Sequence, residues 1–490
     1  MVQALKNLEP KKVFYFFEKL SCIPRGSGNE QAVSDYLVNF ANERGFQVEQ
    51  DTNHNVVMHV PASTGCENAP IVMLQNHMDM VCEKFPEIDL DFKTDGLQLA
   101  IDHEKNVVYA KGTSLGADNG IGLAVALAIA DDKEIIHPPL EIVCTVGEEI
   151  GLVGAATLDM SKLKAKFMIN SDSYKFDMVQ AGCAGCAYFI TDHIAEWTET
   201  SDGDLGAELV VGGLIGGHSG LDMMKQRTNA NKLMARFLDM LVYHQIAFRI
   251  ADYSCINKDN AIPRDAICRI VLLPGQKDIV ERIVVNFLND VKNELQITDP
   301  DVDCKLNWIE TPPRSLSEQD TNRMIHYMML APDGMFQKFY LYEDPDLAES
   351  SCNMGRIFIK GDTVTYRHMV RANFASRKLE TLRKLQILSD SLGMTSHVEH
   401  SAPQWDLDFK SPLLALVKKC YHEMTGGEIE VSVAHGTCEC GFFKTGVGCD
   451  TVSIGPDIRN LHSPTEEVDI ASVEKLYELN LRILEELAKM

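Results

Sequence analysis

The chain has no apolar run approaching the roughly 20 residues that a membrane-spanning helix needs, so a membrane protein is excluded in this reading. Positive charge is scarce: 46 Lys and Arg stand against 71 Asp and Glu, a formal net charge of −25. Phosphate backbones and anionic lipid surfaces need clustered Lys and Arg, so neither nucleic acid nor a membrane is expected as a partner. A secretory signal is missing too. The opening MVQALKNLEPKKVFYFFEKLSC scatters charges where an uninterrupted apolar centre would have to lie. Without a signal, 14 cysteines predict reduced thiols and a cytoplasmic location. The close pairs Cys183/Cys186 and Cys438/Cys440 lack a second pair at zinc-ribbon spacing and read as small buried apolar side chains. What is present is a globular composition, 45% hydrophobic and 24% charged, over 490 residues. That length corresponds to about two to four domains.

Hydrophobic periodicity predicts helices on either side of a break at CIPRGSGNE, then strands in VVMHVPA and APIVMLQNHMDM and a hairpin in LQLAIDHEKNVVYAKG. A buried Ala/Leu/Ile-rich helix follows in GADNGIGLAVALAIADD, then a strand in LEIVCTVGEEIG, the helical GLVGAATLD and a strand in KFMINSD. Strands alternating with helices predict an α/β layer with a mostly parallel mixed sheet flanked by helices. The texture changes near residue 186. From there to about 400, two successive rounds of similar elements predict a duplicated βαββαβ unit, an inserted α+β domain. The first round runs from GAELVVGGLIGG to QKDIVERIVVNFLNDVKNEL, and the second opens with the strand DVDCKLNWIE. After the linker HSAPQWDLDFKSP the first texture returns, so residues 1–186 and 401–490 are expected to form one domain interrupted by 187–400.

Several strand ends carry groups that a core strand does not need. LEIVCTVGEEIG ends in Glu148 and Glu149, which point to opposite sides of an extended segment and so serve one site only in different roles, one on a metal and one on a proton. His77 and Asp79 lie two apart, so one can bind a metal while the other supports it. Asp118 precedes a helix, Asp172 ends KFMINSDS, and His462 lies in IGPDIRNLHSPTEE between a strand and a helix. Taken singly these read as helix caps, surface histidines or solvated loops. Together, at the carboxyl ends of α/β strands, they form the N/O donor set that suits zinc or a related divalent ion. Asp118 is then the candidate bridge between two ions, with His77 and Asp172 on one, His462 and Glu149 on the other, and Glu148 left as general base.

HMD, GADNG, GEEIGLVGA, NSD and LHSPTEEV, in this order and spacing, resemble the zinc peptidase family that includes carnosinase, aminoacylase and carboxypeptidase G. The details NHMDMVCEK, GTSLGADNGIG, GGHSG, NKDNAIPR and HGTCECG look most like its bacterial members that cut Xaa-His dipeptides. The resemblance covers almost the whole chain. It implies a cytoplasmic dipeptidase with two Zn2+, replaceable by Co2+ or Mn2+, held by His77, Asp118, Glu149, Asp172 and His462. It also implies Glu148 as base and Asp79 as the group steadying the His77 side. The inserted domain becomes a lid, with His218 of GGHSG stabilising the oxyanion, Asn260 as a further polar contact and Arg371 holding the substrate carboxylate, although Arg367 and Arg377 lie close by. Relatives usually read Ala-Gly-Leu-Glu-Cys-Gly where this chain has Gly436-Thr437-Cys438-Glu439-Cys440-Gly441. Glu439 matches as a substrate-binding candidate, and the pocket around it departs. In relatives with a single lid unit the lid histidine can come from a partner subunit; a duplicated lid could supply His218 within one chain, so a homodimer is possible but not required. Other dipeptides, tripeptides or N-acyl amino acids are the alternative substrates. A metal-binding protein without activity would be favoured by a missing ligand or base, and none is missing.

Overall fold

The β-branched runs of the first part form buried strands, Val56–Val60, Val72–His77, Leu140–Thr145 and Phe167–Asn170. The structure, a computed structural model, describes residues 4–220, 222–255, 257–339 and 347–490. It divides into two units: Met1–Cys183, Trp405–Ala434 and Cys438–Met490 in one, Ala184–Gln404 and His435–Thr437 in the other.

In the first unit an eight-stranded sheet runs in the order Gln47–Gln50, Val56–Val60, Leu140–Thr145, Val72–His77, Phe167–Asn170, Asp450–Ser453, Met178–Cys183, Glu430–Ala434. Its centre is parallel: Val72–His77 pairs in parallel with both Leu140–Thr145 and Phe167–Asn170, and the latter with Asp450–Ser453. Parallel neighbours need crossovers, and the helix Ala117–Ala130 supplies one; twelve of its residues are buried because its Ala/Leu/Ile surface is apolar all round. Leu74, Leu123, Leu127, Ile142, Leu476 and Ile483 share the resulting core. The hairpin Leu99–Asp102/Val107–Ala110 forms as expected, and Glu467–Asp469 adds to its edge, which anchors the late segment carrying His462. The strand Met178–Cys183 was not anticipated; its sequence MVQAGC has neither alternation nor β-branched density. Among the described residues no helix is long and apolar enough to cross a membrane.

The second unit holds a nine-stranded antiparallel sheet. Its order along the main path is Asp303–Ile309, Leu205–Gly212, Ala266–Leu272, Phe248–Cys255, Ala348–Lys360, Thr363–Ala372, Gly185–Ile194, Thr395–Ala402. Two βαββαβ units are present, but they are nested rather than successive. Leu205–Gly212 opens the inner unit, and Asp303–Ile309, expected to open a second round, instead pairs with Leu205–Gly212 and closes the first. The outer unit opens upstream with Gly185–Ile194, a strand the sequence reading passed over. It resumes with Ala348–Lys360 and Thr363–Ala372 and closes with Thr395–Ala402. A linear reading cannot see this, because the inner unit separates the outer unit's first strand from its partners. The two join edge to edge, Ser254 opposite Phe358 and Cys255 opposite Ile357. Ile256, expected to end the strand before this junction, lies outside the described residues.

Candidate active site

Three adjacent parallel strands end together. His77 is the last residue of its strand, in register with Thr145, three residues before Glu148, while Gln75 is in register with Asn170, two before Asp172. The topology therefore delivers His77, Glu148, Glu149 and Asp172 to one edge of the sheet. Asp118 comes from the start of the crossover helix, where Asp118 and Asn119 are non-helical and joined by a cis peptide bond. The helix comes this close because residue 122 is glycine: a Cβ there would run into the side chains of Asn119, Asn76 and Ser171. His462 completes the group from a loop turn with φ 58°.

His77 Nε2 lies 2.9 Å from Asp118 Oδ1 and 3.1 Å from Asp172 Oδ1. Its Nδ1 faces Asp79 Oδ1 at 3.3 Å. His462 Nε2 lies 3.1 Å from Glu149 Oε1 and 3.5 Å from Asp118 Oδ2. Asp79 is fully buried and also accepts the backbone N–H of Glu148 at 3.1 Å and of Glu149 at 3.3 Å. It therefore fixes both the His77 ring and the backbone of the Glu pair. Three sets offer ligand atoms that lie within 4.8 Å of one another: His77–Asp118–Asp172, Asp118–Glu149–His462 and His77–Glu148–Glu149. The first two share Asp118. The donors are imidazole nitrogens and carboxylate oxygens, and the carboxylates outnumber the imidazoles, so the set fits divalent cations.

Without a cation, protons do the neutralising. Burial pulls the His77 pKa down, but the carboxylates of Asp172, Asp118 and Asp79 outweigh it and raise it well above the ordinary histidine value. Hydrogen bonds to Asp118 first, then Glu149, push His462 up to about 10. Burial opposes the ionisation of Asp118, yet His462 and His77 hold it below the usual carboxylate range. Burial, followed by the Asp172 charge, raises Glu148 well above that range. Both imidazoles are therefore protonated at neutral pH, and a coordinating ion must displace those protons. Metal affinity is expected to rise with pH as Asp172, raised to about 8 chiefly by burial, and His462, raised to about 10, give up their protons, so that binding at neutral pH releases protons. Calorimetric titration in buffers of different ionisation heat measures this release; uptake without it would contradict these proton positions.

The second unit brings its own candidates together. Gly217–His218 pairs with Ala261–Ile262, and Ser219 N donates to Asn260 O at 2.8 Å, so His218 and Asn260 are neighbours. Gly220 N donates to His218 Nδ1 at 3.1 Å, which leaves the proton of the neutral ring on Nε2; burial, then the Arg371 charge, lowers the His218 pKa and favours that neutral form. A Cβ on Gly220 would lie 3.0 Å from His218 and 3.4 Å from Arg371, which places all three side by side. Arg371 Nη1 donates to Thr437 Oγ1 at 3.3 Å, whereas Arg367 pairs with Asp259 and Glu399, and Arg377 with Glu349 and Glu380. Beside Arg371, His435 Nε2 and Ser351 Oγ are 2.7 Å apart. Neither His435 nor Ser351 was singled out from the sequence; the departure at Gly436–Thr437 was the available signal. Glu439 lies in the first unit, 1% exposed, where its carboxylate accepts from Gln75 Nε2 at 2.6 Å and Thr145 Oγ1 at 2.7 Å. Those partners are strand side chains beneath His77 and the Glu148 loop.

The sequence profile of peptidase family M20/M25/M40 matches residues 73–486. The chain is similar to the cytosol non-specific dipeptidase of Escherichia coli (strain K12), 33% identical over 484 residues that span 99% of each chain. It is also similar to the crystal structure of aminoacylhistidine dipeptidase from Vibrio alginolyticus, with a TM-score of 0.89 and 33% identity over 98% of each chain. A tripeptidase from Staphylococcus aureus shares the fold, with a TM-score of 0.56 at 16% identity over 99% of this chain and 100% of that one. The chain belongs to peptidase family M20/M25/M40 and is a metallopeptidase.

Proposed function

We propose that the chain is a cytoplasmic di-metal dipeptidase that hydrolyses Xaa-His dipeptides. The observation that carries this reading is a pair of ligand sets sharing Asp118, with the unshared carboxyl of Glu148 beside them. Full-length similarity to a cytosol non-specific dipeptidase supports dipeptide cleavage and the location, and similarity to an aminoacylhistidine dipeptidase supports the Xaa-His class. The ions are two Zn2+, replaceable by Co2+ or Mn2+. His77 and Asp172 would hold one, His462 and Glu149 the other, with Asp118 available to both. When bound, they polarise the scissile carbonyl and acidify the attacking water.

The chain's own residues do the rest. Glu148 takes the proton from the water and returns it to the departing amine; its raised pKa suits a group that must do both. Asp79 orients His77 and the Glu148 backbone. His218 donates its Nε2 proton to the developing oxyanion, with Asn260 as a neighbouring polar contact. Arg371 grips the dipeptide carboxylate, and the acidic cluster attracts the free amine. Fixing both charged ends selects dipeptides. Glu439, whose Oε2 takes both strand partners while its buried Oε1 takes none, supports the sheet edge through the first oxygen and is the candidate substrate contact through the second. The two nested lid units pair edge to edge within one chain, so a homodimer is compatible with His218 acting in its own chain.

A panel of Xaa-His dipeptides, other dipeptides, tripeptides and N-acyl amino acids tests this. Xaa-His dipeptides are expected to give kcat/KM at least about tenfold above the rest, the lower end of the discrimination one additional side-chain contact supplies. Equal rates across all dipeptides would remove the histidine preference, and faster cleavage of acyl amino acids would remove the dipeptidase reading.

A further inference from the structure

The break between the first two helices, CIPRGSGNE, reads in sequence only as an interruption, yet in the fold it reaches the segments that carry His77, Asp118 and Glu148. Arg25 is 2% exposed, and its Nη1 donates to the carbonyls of Met78 at 3.0 Å and Asp79 at 3.1 Å, while Nη2 donates to the carbonyl of Gly116. Ser27 Oγ donates to Asp79 Oδ2 at 2.8 Å. Two backbone bonds, Met80 N to Arg25 O at 3.1 Å and Ser27 N to Met80 O at 3.3 Å, zip the loop to the segment after His77. Glu30, 7% exposed, accepts the N–H of Gly147 at 3.1 Å, immediately before Glu148. From the other side Glu466, 3% exposed, accepts three successive N–H groups, Leu115 at 2.8 Å, Gly116 at 3.0 Å and Ala117 at 2.8 Å, in the turn that delivers Asp118.

A loop whose task was only to join two helices would satisfy its buried groups locally. Here a guanidinium has been taken out of water so that its two Nη groups bind backbone carbonyls of two different segments, while its Nε is left without a hydrogen-bond partner, a desolvation that a loop serving only as a connection would not need. Arg25, Ser27 and Glu30 each reach a group within two residues of His77, Asp118 or Glu148. Gly116 permits the approach: it has φ 65°, and a Cβ there would lie 2.5 Å from Arg25 Nη2 and 2.8 Å from Met80 Sδ. We propose that the Arg25–Glu30 loop, with Glu466 opposite, is the frame that sets the separations of His77, Asp118 and Glu148 and so tunes metal affinity. These are positioning residues, and the proposal rests on reading the strand-end cluster as a metal centre.

Binding of Zn2+ and Co2+ to metal-depleted wild type, Ser27→Ala, Arg25→Lys and Glu466→Gln tests it, together with the Co2+ absorption spectrum and a kcat-against-KM split on a dipeptide. Each variant is expected to lose about 10- to 100-fold in affinity for at least one ion, as supporting partners of metal ligands do elsewhere. The Co2+ spectrum should shift, and kcat should fall while KM stays within about twofold, because the substrate contacts are untouched. Thermal unfolding of the metal-free proteins checks the fold. If Arg25→Lys does not fold, Ser27→Ala, which removes one hydroxyl, carries the test. Wild-type affinity and spectrum in folded Ser27→Ala and Glu466→Gln would overturn the proposal. A wild type that takes up no ion would overturn the metal reading itself, a different failure.

Discussion

Glu148→Ala is expected to lower kcat on a dipeptide by about 10²- to 10⁴-fold while two ions per chain remain bound, the loss typical of a removed general base. That corresponds to about 3–5 kcal/mol of transition-state stabilisation. Its carboxyl lies within 4.8 Å of ligand atoms of His77 and Glu149, one from each of the two sets that share Asp118, while its backbone N–H is held by Asp79 Oδ1 at 3.1 Å. Truncation therefore removes the carboxyl without releasing the loop. Burial, followed by the Asp172 charge, makes Glu148 a stronger base than a solvated glutamate, although bound cations will pull its pKa back down. The competing role is ligation, since Glu148 also forms a possible set with His77 and Glu149. The two roles separate cleanly. A base leaves metal content at wild type when lost, whereas a ligand takes an ion with it, so loss of metal together with activity would move Glu148 to the ligand set.

Asp118→Asn should have the larger effect on binding, weakening affinity for both ions by more than about 100-fold, beyond what loss of a supporting partner causes. Asp118 alone belongs to both the His77–Asp172 and the Glu149–His462 sets. Its two oxygens face different histidines, Oδ1 toward His77 at 2.9 Å and Oδ2 toward His462 at 3.5 Å. His462→Ala, by contrast, should weaken one ion and spare the other. The metal-free protein gives a second readout. Asp118 is the largest cause of the raised His462 pKa of about 10, so in Asp118→Asn the imidazole should titrate at lower pH, as NMR of the ring protons would record. One ion bound at full affinity in Asp118→Asn would show that the carboxylate does not bridge.

The strand-end cluster and the second unit differ in what the sequence alone reveals. The ligand candidates were legible because a parallel sheet puts the ends of Val72–His77, Leu140–Thr145 and Phe167–Asn170 on one edge, so short motifs after strands converge without any long-range information. Which atom faces which was not legible; the double engagement of Asp118 depends on the turn before its helix and on Gly122 allowing close packing. The nesting in the second unit escaped because the strand Gly185–Ile194 pairs with Thr363–Ala372 and Thr395–Ala402, far along the chain. Arg25 and Glu466 escaped for another reason. Their partners are backbone carbonyls and amides, which every residue carries, so no spacing or residue type marks the contact. The choice among Arg367, Arg371 and Arg377 was equally hidden, since it turns on which carboxylates happen to fold against the first and last.

The central claim is that two ions at this strand edge make the chain a dipeptidase. Metal-depleted protein titrated with Zn2+ while hydrolysis of an Xaa-His dipeptide is followed tests it in one measurement. Activity should be absent at the start, rise with added Zn2+ and level off when two ions per chain are bound. Full hydrolysis by the depleted protein, or two bound ions with no dipeptide cleaved, would contradict it.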